Sequence, residues 1–190
     1  ARAYAAGMGA LCLLLAAAAP APAADRHKTD PEYRIKAAYI YRFLSFYTVE
    51  QAADNPSQAN ALRLGIIGRS PFDGAFDEVK GTPVGANGRR LVIEAATPRG
   101  KDRHPQRFDV IFICRSEKHR VRQILAALED QPVLTIADMD GFIEQGGMIN
   151  LTLIDNQVRW EINQQVAQRS GIRLSSQLLR NATRVIRADP

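Results

Sequence analysis

The polar residues best placed to do chemistry lie inside two otherwise apolar segments, residues 148–153 and 158–163. They are Asn150, Glu161 and Asn163. A carboxylate and two amides can bind a polar ligand or a charged partner, and a buried one needs a partner in the main chain, water, a ligand or another protein. The simplest expectation from the residues alone is that they face solvent on an edge hairpin.

Basic residues accumulate in the same part of the chain. Between Asn156 and Ala188 there are six Arg and one acidic residue. This bias favours an acidic partner or an anionic membrane surface. Arg169 and Arg173 supply guanidinium groups, and Ser175 begins a helix whose free N–H groups could receive an anion.

We therefore expect a recognition surface near the C-terminus that works by charge and fit. A purely structural alternative is that Glu161 pairs with Arg159, Arg169 or Arg173 and only fixes the hairpin to a helix. A small-ligand pocket near Glu161 and Arg169 is a second functional alternative.

The common catalytic patterns are incomplete in this chain. Gly65 and Gly68 follow a strand but lack the third glycine of a dinucleotide loop, and Ser70 lacks the glycine that a nucleophile elbow needs. The three His residues are too scattered to share a metal on one helix face. We expect no enzyme activity, no cofactor and no metal; the acidic group Asp138, Asp140 and Glu144 is interpreted as a solvated loop.

The elements that must position these residues follow from hydrophobic periodicity. Asp30 and Pro31 begin a helix whose apolar spacing continues to Tyr47. Asp155 and Asn156 form the turn of the hairpin, and Gly171 ends a short helix. Strands are predicted at residues 62–68, 90–95, 108–114 and 132–137, and helices at residues 72–80, after Ser116, at 164–170, and from Ser175 or Ser176 to Arg187.

This order of elements predicts an α/β single-domain sandwich with a mostly parallel sheet, a terminal β-hairpin and flanking helices. Residues 24–190 form that domain, and residues 1–23 read as a cleaved signal peptide, with Arg2, a short apolar run and a small-residue cleavage pattern. No later stretch is apolar enough to span a membrane. Cys114 lies in an apolar run, so we expect it to be a buried thiol.

Five segments resemble one known family. They are EYRIKAAYIYRF (residues 32–43), LGIIGRSPF (64–72), GF with GGMINL (141–142 and 146–151), WEIN (160–163) and SGIRLSSQLL (170–179). Their order and spacing are similar to those of the YfiR family of exported bacterial proteins, with Trp160 where that family usually has Phe. The resemblance covers nearly all of the chain after the signal peptide.

The resemblance implies a periplasmic negative regulator, often dimeric. Such proteins bind the periplasmic sensor domain of an inner-membrane diguanylate cyclase and keep its output low; nucleic acid is not an expected partner. The matching positions imply that partner or ligand contacts involve Glu161, Asn163, Arg169, Ser175 and Leu179; Arg173 joins them as a candidate on its charge alone. The best-studied branch has disulfide-forming cysteines near the hairpin, whereas the hairpin here has none and Cys114 is unpaired.

Overall fold

A computed structural model describes residues 30–49, 60–85, 88–96 and 108–187. The predicted signal peptide lies outside these ranges, and so do residues 97–107, between the strands predicted at residues 90–95 and 108–114. The helices are α1 (Pro31–Phe43), α2 (Val121–Ala126), α3 (Gln164–Arg169) and α4 (Ser176–Arg180). The strands are β1 (Tyr47–Val49), β2 (Ala61–Ile67), β3 (Pro83–Val84), β4 (Arg89–Ala96), β5 (Val110–Ile113), β6 (Leu134–Ala137), β7 (Ile149–Ile154), β8 (Gln157–Asn163), β9 (Ile172–Leu174) and β10 (Arg184–Ile186).

Eight strands form one sheet in the order β10-β8-β7-β6-β5-β2-β4-β3, and β1 pairs with β9 in a small antiparallel sheet. All neighbours in the large sheet are parallel except β7 with β8 and β3 with β4. The predicted α/β domain with a mostly parallel sheet, hairpin and flanking helices is confirmed. In the described ranges no helix has the length and apolar character needed to cross a bilayer.

The central strands β5 and β6 are buried along their whole length, as expected of parallel strands covered on both faces. Alternate residues therefore enter two cores. Phe112 and Ile136 face the core that includes α1, whereas Ile111 and Ala137 face the core that includes α2.

The first helix begins as predicted, because the carboxylate of Asp30 accepts a hydrogen bond from the Glu32 N–H at 2.9 Å. It ends at Phe43, so the expected continuation to Tyr47 is wrong: Tyr47 opens β1 and pairs with Leu174. Tertiary pairing thus overrides the helical spacing of the last apolar residues.

One other helix prediction is wrong, and two are right about the helix but wrong about one of its ends. Residues 72–80 form successive turns, held by local bonds such as Lys80 N–H to Phe76 O at 2.9 Å. The Ser116 hydroxyl does not cap a helix but accepts from the Arg69 N–H, and residues 115–120 form a 3₁₀ helix that precedes α2. The last helix stops at Arg180, and residues 184–186 form β10 beside β8.

The hairpin has the predicted two-residue turn, with φ of 48° at Asp155 and 61° at Asn156. It does not lie at the sheet edge, however. On one side β7 pairs with β6, and on the other β8 pairs with β10. The end of the hairpin away from the turn therefore has a neighbouring strand on each side. Polar side chains at this end need partners within the protein.

A buried ion pair joins α1 to the end of β6. The ammonium of Lys36, which has no exposed surface, lies 2.7 Å from Asp138 Oδ2 and also pairs with Glu32. Tyr33 donates to the same oxygen at 2.8 Å, and Arg115 Nε donates to the Asp138 carbonyl at 2.7 Å. Burial, together with the hydrogen bond from Tyr33 to Asp138, raises the pKa of the Tyr33 phenol. Asp138 is thus a structural anchor, not part of a solvated loop.

Breaking this ion pair should strongly destabilise the fold. Asp138→Ala leaves the Lys36 ammonium buried with Glu32 as its one acidic partner among the described residues, and removal of one partner of a buried pair costs about 3–5 kcal/mol. The exposed neighbour supplies a matched control, Asp140→Ala, which should change the free energy of unfolding by less than about 0.5 kcal/mol. The double variant Lys36→Met/Asp138→Leu should recover much of the loss. Urea unfolding measures all three, and equal stability of the two Ala variants would contradict this account.

The thiol of Cys114 should be inert in the folded protein. It is 1% exposed, and burial, with smaller contributions from Asp138 and Glu117, raises its pKa to about 12. Thiolate is therefore scarce at neutral pH. We expect iodoacetamide at pH 7.5 to label the native protein far more slowly than the urea-unfolded protein, as followed by mass spectrometry. Equal rates would show that the thiol is accessible.

Candidate partner-binding site

The amide of Asn150 is buried inside the hairpin and does not face solvent. Its oxygen accepts a hydrogen bond from the Met139 N–H at 3.0 Å, and its nitrogen donates to Glu161 Oε2 at 3.2 Å. The residue is 2% exposed. The expectation of a solvated edge hairpin is therefore wrong for Asn150. It connects the loop after β6 to the carboxylate on β8.

Asn163 ends β8 and begins α3. Its side-chain oxygen accepts from the Val166 N–H at 3.0 Å, and its nitrogen donates to the Ile143 carbonyl at 2.9 Å. Both amide atoms are thus engaged with the main chain of two other segments. Asn163 fixes the angle between the hairpin and α3, and with it the position of the next predicted residue, Arg169.

The carboxylate of Glu161 lies at the centre of a charged cluster. Strand β10 places Arg184 directly opposite Glu161, with the guanidinium 3.5 Å from Oε1. Arg184 also forms an ion pair with Glu144, so one cation binds two acids. We call Glu144, Glu161 and Arg184 the clamp. The structural alternative predicted that Glu161 pairs with Arg159, Arg169 or Arg173. That prediction is wrong, because the cation beside Glu161 is Arg184.

The clamp is accessible from solvent. The side chains of Arg184 and Glu144 are 47% and 44% exposed, and that of Glu161 is 19% exposed. The hydrogen bond from Arg184 lowers the pKa of Glu144, and the same bond raises the pKa of Arg184. Both groups stay charged near neutral pH, and they can exchange their mutual contact for that of a charged partner.

Sequence reasoning missed Arg184 because it placed that residue on a helix. Leu178, Leu179 and Ala182 continue the helical spacing, but Val185 and Ile186 are β-branched and favour a strand. These two β-branched residues were the signal in the sequence that could have predicted β10. The strand forms because Thr183 anchors it, with both its N–H and its hydroxyl donating to the Trp160 carbonyl, at 2.9 and 3.0 Å.

A second feature is an open cavity of about 380 Å³ between α2 and α3. Two of the predicted residues, Asn163 and Arg169, line it. Arg122 lines it from α2, and Leu125 and Val166 supply apolar wall. Its charged lining is of both signs, with Arg122 and Arg169 together with Glu129, Asp130 and Glu144, the last of which also belongs to the clamp. Charged groups beside apolar surface can orient a small polar ligand.

The other predicted residues lie elsewhere. Arg173 is on β9 opposite Thr48, and Leu179 packs half-buried against the core. The hydroxyl of Ser175 caps α4 by accepting from the Leu178 N–H at 3.2 Å. Because α4 has only five residues and that N–H is already used, the expected anion site at its start is not supported.

The acidic residues that follow β6 do not gather. Asp138 turns inward to Lys36, Glu144 joins Arg184, and Asp140 is exposed. Among the residues that the structure describes, no group of three His, Cys, Asp or Glu side chains is arranged to hold a metal ion.

Two solved structures align with this chain over part of its length. A conserved domain protein from Vibrio cholerae is 13% identical, with a TM-score of 0.52 over 80% of this chain and 60% of that one. An ABC domain from Streptococcus pneumonia in complex with L-Trp is 15% identical, with a TM-score of 0.44 over 67% of this chain and 56% of that one. The first likeness concerns the fold alone, and the second carries no conclusion. This chain spans about 60% of the length of the Vibrio protein.

None of the curated proteins matches the sequence. A family profile does: DUF4154, described as YfiR/HmsC-like, matches residues 33–183, which run from α1 to the residue before β10. The match covers most of the chain and includes every residue of the predicted site. The chain belongs to the YfiR/HmsC-like family.

Proposed function

We propose that the protein is a periplasmic regulator that binds the periplasmic sensor domain of an inner-membrane diguanylate cyclase and lowers cyclic-di-GMP synthesis. Membership of the YfiR/HmsC-like family is the observation that carries this proposal. It acts by binding, without catalysis and without a cofactor. The clamp supports such a role, because it presents opposite charges at the surface on a rigid sheet.

Glu161 is the residue of the clamp that we assign to partner recognition. Asn150 holds its carboxylate from behind, and Arg184 lies beside it. The side chain is pre-positioned, so little conformational entropy is lost when a cationic group of the partner approaches. Arg184 is the matching group for an acid on the partner.

Glu161→Ala should weaken binding of the cyclase domain. Loss of one member of a desolvated charge pair at an interface costs about 2–5 kcal/mol. This corresponds to a roughly 30- to several-thousand-fold higher Kd. Isothermal titration of the purified protein against the periplasmic domains of membrane cyclases from the same organism measures the change. In cells, the same variant should raise cyclic-di-GMP and biofilm formation.

A matched control is Glu78→Ala, which removes an exposed carboxylate from the turns at residues 72–80. It should bind like the unaltered protein. Circular dichroism and thermal melting of each variant separate lost binding from lost folding, and Glu161→Gln keeps the shape of the side chain if Ala unfolds the protein. Unchanged affinity for a folded Glu161 variant would show that the site is elsewhere.

The proposal places the protein in the periplasm after removal of residues 1–23, and as a homodimer. The charge, apolar run and small residues of that segment support export. Cell fractionation tests the location, and sedimentation velocity tests the dimer. Recovery of the protein from the cytoplasm with residues 1–23 retained would contradict the periplasmic location. A monomer at micromolar concentration would contradict the homodimer.

A second candidate function is small-ligand binding in the periplasm. The cavity lined by Asn163, Arg169 and Arg122 favours it. Arg169 lines the cavity and is not part of the clamp, so Arg169→Ala tests the cavity alone. This variant should abolish ligand-induced stabilisation in a thermal-shift screen of charged metabolites. If no compound in the screen raises the melting temperature, the cavity has no such role.

A further inference from the structure

The two edges of the large sheet differ in how they are protected. At one edge lies β3, with only two residues, one of them Pro83, which has no N–H to offer. At the other edge lies β10, which contains no proline. In the described ranges no strand pairs with the outer side of β10. No strand of the described part of the chain uses its outer main-chain donors and acceptors.

The edge strand is held in place from both faces. Val185 packs against the core that includes α1, and Ile186 packs against the core that includes α2. Its inner side pairs in parallel with β8 from Glu161 to Asn163. An incoming strand would meet a fixed template and would not have to order it first.

Three arginines lie in or next to this edge strand, against the two acidic residues of the clamp. Arg180 precedes the strand, Arg184 opens it and Arg187 follows it. Arg184 is matched by Glu144 and Glu161, whereas Arg180 and Arg187 are exposed and no described acidic group pairs with either. Like charges on adjacent strands are destabilising, so these arginines oppose pairing between two copies of this edge and favour an acidic strand.

We infer that the outer edge of β10 accepts an extended acidic segment of a partner as a ninth strand of the sheet. Main-chain hydrogen bonds would supply affinity, and acidic side chains facing Arg180 and Arg187 would supply specificity. The identity of the partner rests on the proposed function: if that function is right, the acidic segment belongs to the periplasmic domain of the cyclase. The strand lies just beyond the family match at residue 183.

The test uses three short synthetic peptides. One alternates Glu with Val, the second has Lys at every Glu position, and the third is the acidic peptide with alternate N-methylated main-chain nitrogens. Fluorescence anisotropy with the purified protein should show binding of the first peptide. The Lys peptide lacks charge complementarity and the methylated one cannot form the ladder, so both should bind at least about tenfold more weakly.

The variant Arg180→Glu/Arg187→Glu should reverse the preference, so that the Lys peptide binds better than the acidic one. Arg34→Glu/Lys118→Glu changes the net charge equally at exposed sites on α1 and on the 3₁₀ helix at residues 115–120, and it should leave the preference intact. Equal binding of the methylated and unmethylated acidic peptides would overturn strand addition. If the two double variants changed the peptide preference equally, the proposed location of the site at the edge of β10 would be wrong.

The cyclase domain separates this inference from the proposed function. Competition between the acidic peptide and the cyclase domain supports both. If the peptide binds with the expected pattern and no cyclase domain binds, the edge site stands and the proposed partner is wrong. If the cyclase domain binds and the peptide does not compete, the regulator stands and the strand-addition site is wrong.

Discussion

Trp160 connects three parts of the fold that the candidate site needs: α1, α4 and β10. Its ring packs on Tyr39 and Phe43 of α1, with centroids 5.4 and 5.3 Å away, and its Nε1 donates to the Leu178 carbonyl at 3.1 Å. Its own carbonyl accepts both hydrogen bonds from Thr183. A Phe at this position could stack on α1 but could not donate to α4. A three-residue edge strand is marginal by itself, and the main-chain carbonyl of Trp160 anchors β10 at its start.

The position of α1 depends in turn on a buried charge. Lys36 enters the core because Asp138, at the end of β6, neutralises it in a site without water access on either side chain. A connected set of contacts thus runs from Asp138 through α1 and Trp160 to the clamp at Glu161 and Arg184. A rigid support of this kind suits a protein that acts by presenting charges in a fixed arrangement, since binding then requires little reordering.

The sequence was informative where a signal is local. The hairpin followed from the Asp155–Asn156 turn, and the parallel sheet followed from apolar runs between turn residues. It was uninformative where a partner lies far away in the chain: nothing near Lys36 indicates that Asp138 will bury it, and nothing near Glu161 indicates that Arg184, on β10, is its cation. The helix expected at residues 72–80 failed for a related reason, because apolar spacing does not distinguish a helix from turns packed on a core.

The central claim is that the partner contacts the sheet edge formed by β8, β10 and the clamp. Hydrogen–deuterium exchange of the protein, alone and with a bound cyclase domain, tests it most directly. We expect slower amide exchange at residues 184–187 and 157–163 in the complex, because a partner there would shield these amides and stabilise the edge. Residues 121–126 of α2, on the cavity side, should be unchanged. Slower exchange confined to α2 and α3, with no change at residues 184–187, would contradict the claim.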